Sequence, residues 1–449
     1  MIRIHEEAEN MEKLAILGGT PAISNMPDDL FRWPIVTRED EEAVLEVLRN
    51  SWQSGTQITE QFEKEFAAWQ GMRHAVAYCN GTLALEAAMF ACGLGSGDEM
   101  ICASKTYWAS CLQIYNLGAT VVFADIEPDS LCIDPKDIER CIGPRTKAIM
   151  VVHYLSHPAK MDEIMAIAKK HNLLVIEDVS HAQGGLYKGQ KLGTFGHVSA
   201  MSLMIGKSFA TGEMGVLVTN DKEKYDRALA YSHYERNNAK YISTENLQKY
   251  ANMPLGGMKG RVNQMCSAMG RVQLKYYDER CAEIRKAMNY FWDLLADVPG
   301  IQAHRVNEAE GSNMAGWYAA HGIYKRDELG GLPLSVFNEA IKAEGYNQSI
   351  GGNLPLHTHP VFQDYNGYNT EKPTRIAFTD RDVRLLDHDL PVTEALEMYS
   401  VPWFKHYKPE YIEQYAAAFR KVALQADQLM ARARPDESKP GHWFFFKDE

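Results

Sequence analysis

Residues 147–153 read KAIMVVH, residues 162–171 DEIMAIAKKH and residues 173–177 LLVIE. The outer two are short continuous apolar runs with strand character, and the middle one is an amphipathic helix. Continuous apolar strands joined by helices belong to a parallel sheet covered on both faces. Crossovers of this length fit right-handed βαβ units. The same alternation extends toward the N-terminus. Strands are predicted at His74–Tyr78, Glu99–Ala103 and Thr120–Ala124, with helices at Leu83–Cys92, Trp108–Leu117 and Pro135–Ile142. Asp134 is the expected N-cap of the last of these, with Pro135 at its first position. The order of the strands is not legible in the sequence.

Three segments follow from this pattern: 1–56, 57–298 and 299–449. The first is an irregular arm, marked by Gly18-Gly19-Thr20-Pro21 and Trp33-Pro34, that ends in a helix over Arg38–Arg49. In the second, the polar stretch Glu235–Asn252 is expected to be a surface excursion or mobile loop. A long helix follows at about 263–295, turning Met265, Met269, Val272 and Leu274 toward a core. After Pro299-Gly300 the pattern becomes α+β, with a strand at Tyr318–Tyr324 and helices at Pro333–Gly345 and Pro409–Met430. The linker-like 434–441 leads to Trp443-Phe444-Phe445-Phe446, an aromatic end expected to dock on its own body or on a partner subunit.

At about 150 residues per domain, 449 residues allow two or three domains with a large core. The net charge of −12, with no basic block, argues against nucleic acid and anionic membranes as main partners. No run approaches the roughly 18 apolar residues that would span a bilayer. The acidic start, MIRIHEEAENMEKL, lacks the apolar stretch of a signal peptide. Eight scattered cysteines without a C-x-x-C pair suggest neither zinc nor a redox motif; buried thiols and a cytoplasmic location are expected, and no metal.

Ligands of an open parallel sheet bind beyond the carboxyl ends of its strands, so the strand exits carry the chemistry. Asn80-Gly81-Thr82 joins a strand to a helix N-terminus, which suits a phosphate as well as a plain N-cap turn. After the next strand come Lys105-Thr106-Tyr107-Trp108, where Tyr107 or Trp108 offers a flat face for a ring. Ile176-Glu177-Asp178, with His181 three residues on, places an acid at a buried strand end, where it needs a cation or a donor. Ser202-Leu203-Met204-Ile205-Gly206-Lys207 puts a lysine after an apolar run, and desolvation favours the neutral amine a Schiff base requires. A single lysine is ordinarily a surface residue, and a buried acid is sometimes only half of an ion pair. Gly93-Leu94-Gly95-Ser96-Gly97 looks like a dinucleotide loop but follows a helix, so it reads as a helix C-terminal turn. Taken jointly, the four exits supply a phosphate cradle, a ring platform, an acid for a pyridinium nitrogen and an amine for an aldehyde, which is what pyridoxal phosphate needs.

From about Trp33 to the last long helix the sequence also resembles the DegT/StrS sugar aminotransferases, pyridoxal-phosphate enzymes of fold type I. The resemblance implies an α/β fold with a mainly parallel central sheet between helices, plus a smaller α+β C-terminal domain. It matches Asp178 and His181 to the family's strand-end acid and the residue three positions later, and Lys207, twenty-nine positions after Asp178, to its lysine. It matches Ser202, five residues before the lysine, to a phosphate contact, Tyr107 to the stacking aromatic, and Gly81-Thr82 to the phosphate turn. Gly257-Met258-Lys259-Gly260-Arg261 resembles a segment that reaches the partner subunit's phosphate. There Lys259 stands where the family has Asn, and Arg261 is a candidate for the donor's carboxylate. Pro355-Leu356-His357 resembles a turn that faces the substrate. Tyr154 and Ser156 lie in a strand-end loop where the family carries a glycine this chain lacks. Ser208 replaces a common Asn.

The implied activity is a two-step aminotransfer. Glutamate or glutamine gives its amine to pyridoxal phosphate, which passes it to a keto-sugar or keto-cyclitol, in a homodimer with shared sites. Two alternatives remain open at this level: a pyridoxal-phosphate-dependent dehydratase or aminohydroxybenzoate-forming enzyme, and a non-catalytic cofactor-binding regulator.

Overall fold

The computed structural model describes residues 11–24, 26–347, 349, 351–433 and 441–443. A seven-stranded sheet is built from β1 (His74–Tyr78), β2 (Glu99–Ala103), β3 (Thr120–Ala124), β4 (Thr146–Val152), β5 (Leu174–Asp178), β6 (Val198–Ser202) and β7 (Gly215–Thr219). Its order is β1-β7-β6-β5-β4-β2-β3. Every neighbouring pair is parallel except the two made by β7, which runs antiparallel to both β1 and β6. Helices α1 (Arg38–Arg49), α2 (Gln57–Gln70), α3 (Gly81–Ala91), α4 (Pro135–Cys141), α5 (Met161–His171), α6 (Lys222–Ser232) and α7 (Gln264–Asp293) precede a second, three-stranded antiparallel sheet. That sheet is formed by β8 (Ile301–Ala303), β9 (His321–Tyr324) and β10 (Met398–Ser400), in that order. Helices α8 (Leu334–Ala343) and α9 (Pro409–Leu424) complete the C-terminal part. Among the described residues no helix is long and apolar enough to cross a membrane.

The elements form for readable reasons. Thr37 caps α1, with a reciprocal bond between its backbone and Asp40. Asp134 caps α4 at the Lys136 N–H, with Pro135 at the first helical position. Val175, Ile176 and the inner residues of β4 are wholly buried, as the continuous apolar strands require. Gly93 ends the turn after α3 at φ +73°, so the glycine-rich stretch there is a helix terminus and no nucleotide loop. A separate apolar core joins the C-terminal half of α7 to α8 and α9, and arm residues Leu14, Ile23 and Leu30 are part of it.

Several elements differ from their sequence reading. The helix expected over Trp108–Leu117 is two 3₁₀ segments broken at Cys111, whose φ is −147°. The strand expected from Tyr318 begins only at His321, because Ala315, Trp317 and Ala319 sit at φ +43°, +52° and +50° and cannot extend. The final helix stops at Leu424 and continues as a 3₁₀ segment over Ala426–Arg432. Of the four α7 residues expected in the core only Val272 is buried. In this part of α7 the buried positions include the small residues Ser267, Ala268 and Gly270, where a Cβ on Gly270 would stand 2.8 Å from the Phe62 ring.

The polar stretch 235–252 is anchored by buried groups. Arg236 is 2% exposed and donates to both oxygens of Glu63 at 2.7 and 2.9 Å, while Ile242 is fully buried. All eight cysteines are free and six are buried. Of the aromatic end, Trp443 packs edge-on against His359 at 4.6 Å; Phe444, Phe445 and Phe446 lie outside the described residues.

Candidate active site

The exits of β1, β2, β5 and β6 open on one cavity of about 560 Å³. Gly81, Thr82, Tyr107, Asp178, His181, Ser202 and Lys207 all line it. At the β1 exit the Asn80 side chain takes the Leu83 N–H at 2.9 Å. This leaves the Gly81 and Thr82 amides at the cavity wall without a backbone or side-chain acceptor among the described residues. Together with the Ser202 and Thr82 hydroxyls they form a set of donors suited to an anion.

Asp178 is the last residue of β5 and 3% exposed. Its Oδ2 accepts from the Ser110 hydroxyl at 2.8 Å and its Oδ1 from the Ser180 N–H at 3.0 Å. The break at Cys111 is what leaves Ser110 against Asp178. The neighbouring Glu177 points to the other face of the strand and serves structure. It accepts from the Gly193, Phe195 and Gly196 amides at 2.8, 2.8 and 2.6 Å and pairs with His153 at 3.0 Å. The Ser180 hydroxyl in turn accepts from the Ser202 N–H at 2.9 Å, which ties the exits of β5 and β6 together.

Lys207 sits in the turn after β6, 8% exposed, with its Nζ 4.1 Å from the centre of the Tyr318 ring. Its backbone is held from both sides. The Lys207 N–H donates to Met204 at 2.8 Å, and its carbonyl accepts from the Trp33 indole of the arm at 2.9 Å. Ser208 donates to Gln183 at 2.7 Å and contacts the Tyr277 hydroxyl at 2.9 Å, so the residue after the lysine is also fixed.

His181 lies under the cavity with its ring 4.6 Å from Tyr318 and 5.6 Å from Tyr154. Burial, with the nearby Lys207 and His321, pushes its pKa well below the usual histidine range. Its Nδ1 accepts the Leu155 N–H at 3.2 Å, which places the remaining proton on Nε2. Leu155 and Ser156 stand at φ +49° and +74°, so the loop adopts left-handed geometry without a glycine, and the Ser156 hydroxyl is bonded to the His181 carbonyl. Burial also raises the Tyr107 phenol and the Glu213 carboxyl, both at the cavity wall.

Four residues named from the sequence do not line this cavity in a single chain. Tyr154 stands one layer back, behind His181, and exchanges hydrogen bonds with Asn353 at 2.9 and 3.0 Å. His357 is turned onto Ser104, 2.7 Å from its hydroxyl, and onto Glu394 at 3.3 Å. Lys259 is exposed with its Nζ 5.6 Å from the Tyr234 ring, and Arg261 is half-buried. Their segment is nevertheless fastened beside the β1 exit, where the Gly260 carbonyl accepts the Cys79 N–H at 2.8 Å. Ser110, Ser180 and Tyr318 were not singled out by the sequence. Only Tyr318, an aromatic that follows Trp317 and precedes two alanines, left any signal.

The same fold recurs in a solved aminotransferase. The X-ray structure of the aminotransferase from Psychrobacter cryohalolentis matches with a TM-score of 0.75 and 28% identity, over 89% of this chain and 100% of that one. The protein is thus an aminotransferase in fold and class. Within that class it belongs to the DegT/DnrJ/EryC1/StrS aminotransferase family, whose profile matches residues 34–395. Members of this family and its structural neighbours depend on pyridoxal phosphate. The chain is 36% identical over 425 residues to the putative L-glutamine:3-amino-2,3-dideoxy-scyllo-inosose aminotransferase of Micromonospora echinospora, covering 92% of this chain and 97% of that protein. It is also 36% identical over 273 residues to the GDP-perosamine synthase of Escherichia coli O157:H7, covering 61% and 72% respectively.

Proposed function

We propose that the enzyme binds pyridoxal 5'-phosphate in the 560 Å³ cavity and moves an amino group from glutamate or glutamine to a keto-sugar or keto-cyclitol. The observation that carries this reading is the convergence of Lys207 and Asp178, from adjacent strand exits, on a cavity that also holds the free amides of Gly81 and Thr82. The donor set fits the cofactor. Two amides and the hydroxyls of Thr82 and Ser202 suit its phosphate, Tyr107 offers a face to its ring, and Asp178 suits its ring nitrogen. When bound, the cofactor supplies an electron sink for the carbanion left when a proton leaves the amine-bearing carbon. Lys207 Nζ would take that proton and return it at the cofactor's carbon on the far side of the nitrogen, and while uncommitted it rests on the Tyr318 face. Ser110 and Ser180 aim the Asp178 carboxylate, and neutral His181 lines the cavity without adding charge.

Names of the relatives support the acceptor class, one being a cyclitol aminotransferase and the other a nucleotide-sugar enzyme. Residues 57–298 are taken as the cofactor-binding domain, 299–449 as the smaller domain, and 1–56 as the arm. The enzyme is taken as a cytoplasmic homodimer, and the place of Lys259 and Arg261, beside the β1 exit but outside the cavity, supports their reaching the partner's site. Borohydride reduction followed by peptide mass mapping tests the cofactor assignment. A pyridoxyl adduct on Lys207, lost after preincubation with glutamate or glutamine, is the expected result; cofactor-loaded protein with no adduct at Lys207 overturns it.

A further inference from the structure

A second cavity, of about 210 Å³, lies between the exit of β2 and the C-terminal part, and it shares no lining residue with the larger one. Among the described residues its wall carries a single cation, Lys105, and a single anion, Glu394. Lys105 is 2% exposed, and its ammonium has no hydrogen-bond or ion-pair partner among the described residues. Burial pushes its pKa down to about 8. Glu394 is half-exposed at the rim and does not pair with Lys105. A buried ammonium without a counter-ion is costly, and it is better tolerated where a ligand brings the missing charge.

The walls are built to keep the two charges apart. Ser104 accepts the His357 N–H at 3.1 Å, and its carbonyl accepts the Leu356 N–H at 2.9 Å, which stitches the β2 exit to the 355–357 turn. The His357 ring bridges from the Ser104 hydroxyl to Glu394, so this histidine orients the carboxylate of the second cavity. Trp443 closes one side. His442 donates to the Gly352 carbonyl at 3.1 Å and accepts the Leu354 N–H at 3.0 Å, and the Trp443 ring rests on His359. The rest of the lining is largely apolar, from Leu354, Pro355 and Leu396.

We propose that this cavity binds an α-amino acid with an aliphatic side chain, its carboxylate on Lys105 and its ammonium on Glu394. A zwitterion meets Lys105 and Glu394 at once, whereas a simple anion leaves Glu394 facing like charge. The site goes beyond the proposed aminotransfer and does not rest on it.

Calorimetric titration of the full-length protein with L-leucine tests this. Saturable binding is expected, weakened about tenfold or more in both Lys105→Met and Glu394→Gln and unchanged in Lys207→Ala. 4-Methylpentanoate, which lacks the ammonium, and 3-methylbutylamine, which lacks the carboxylate, are each expected to bind at least about tenfold more weakly. Absence of saturation, affinity retained in both wall variants, or affinity lost in Lys207→Ala overturns the proposal. So does 4-methylpentanoate binding as tightly as leucine, which would make this a plain carboxylate site. Glu394→Gln changes a half-exposed side chain, so it carries the test if Lys105→Met fails to fold.

Discussion

A Cβ placed on Gly81 would stand 2.6 Å from the Cβ of Ser202 and 2.7 Å from its Cα. The first residue of α3 and the last residue of β6, 121 positions apart, are therefore in backbone contact at the cavity wall. That contact lets the α3 amides and the Ser202 hydroxyl face one ligand group. Gly81→Ala must push β6 away, and no flexible side chain can absorb the shift. A lower melting temperature and cofactor affinity weakened by more than about tenfold are expected. Ser202→Ala removes one hydroxyl and should weaken the cofactor with the melting temperature unchanged. Fluorescence titration of the apoprotein beside thermal melts separates the two.

Tyr318 places a π face 4.1 Å from Lys207 Nζ, an attraction worth about 1–2 kcal/mol in a desolvated site. Tyr318→Phe keeps the face and Tyr318→Leu removes it. The Leu variant should turn over about 5–30-fold more slowly, with the Phe variant within about threefold of wild type. Equal losses in both would point to the hydroxyl and sink the assignment to the ring.

Breaking the Arg236–Glu63 pair leaves a buried carboxylate that still accepts the Ala77 N–H at 2.7 Å. Arg236→Met is expected to lower stability by about 3–5 kcal/mol, and the double variant with Glu63→Gln by less. Urea unfolding curves of the two variants measure the difference.

His304 and His321 are buried, and burial pushes their pKa values to about 3 and about 4, against the ordinary 6.5. Both are neutral in the folded protein while the unfolded chain binds their protons below about pH 6.5. The stability they hold is thus fully present above that pH and is lost as pH falls toward 4. The slope approaches about 1.4 kcal/mol per pH unit for each. Urea midpoints should fall between pH 7 and pH 5, and His304→Gln should make that fall shallower by one proton's worth. An unchanged slope in that variant would falsify the contribution of His304.

The strands that carry the chemistry were legible because each is a continuous apolar run, a pattern that survives without knowledge of its neighbours. The predicted strands at 74–78, 99–103 and 120–124 coincide with β1, β2 and β3. Elements with weaker local signals were misread. Residues 108–117 have helical composition, yet they break at Cys111 and leave Ser110 on Asp178. Tyr318 read as the first residue of a strand, yet the left-handed backbone at Ala315, Trp317 and Ala319 leaves it in the cavity wall. Residues 235–252 read as solvent-facing from their polarity, since the sequence does not reveal that Arg236 meets Glu63.

Sequence alone determined which residue types stand at each strand exit, because a strand's end and the turn after it are local properties of the chain. It therefore located Gly81, Tyr107, Asp178, Ser202 and Lys207. Tertiary structure decided the strand order, the reversed β7 and the contact of Gly81 with Ser202, since pairing between distant segments leaves no local trace. It also decided that His357 turns from the large cavity to Glu394 and that Lys259 and Arg261 stay outside it. Those outcomes depend on which surfaces are packed together, and packing is a property of the whole fold.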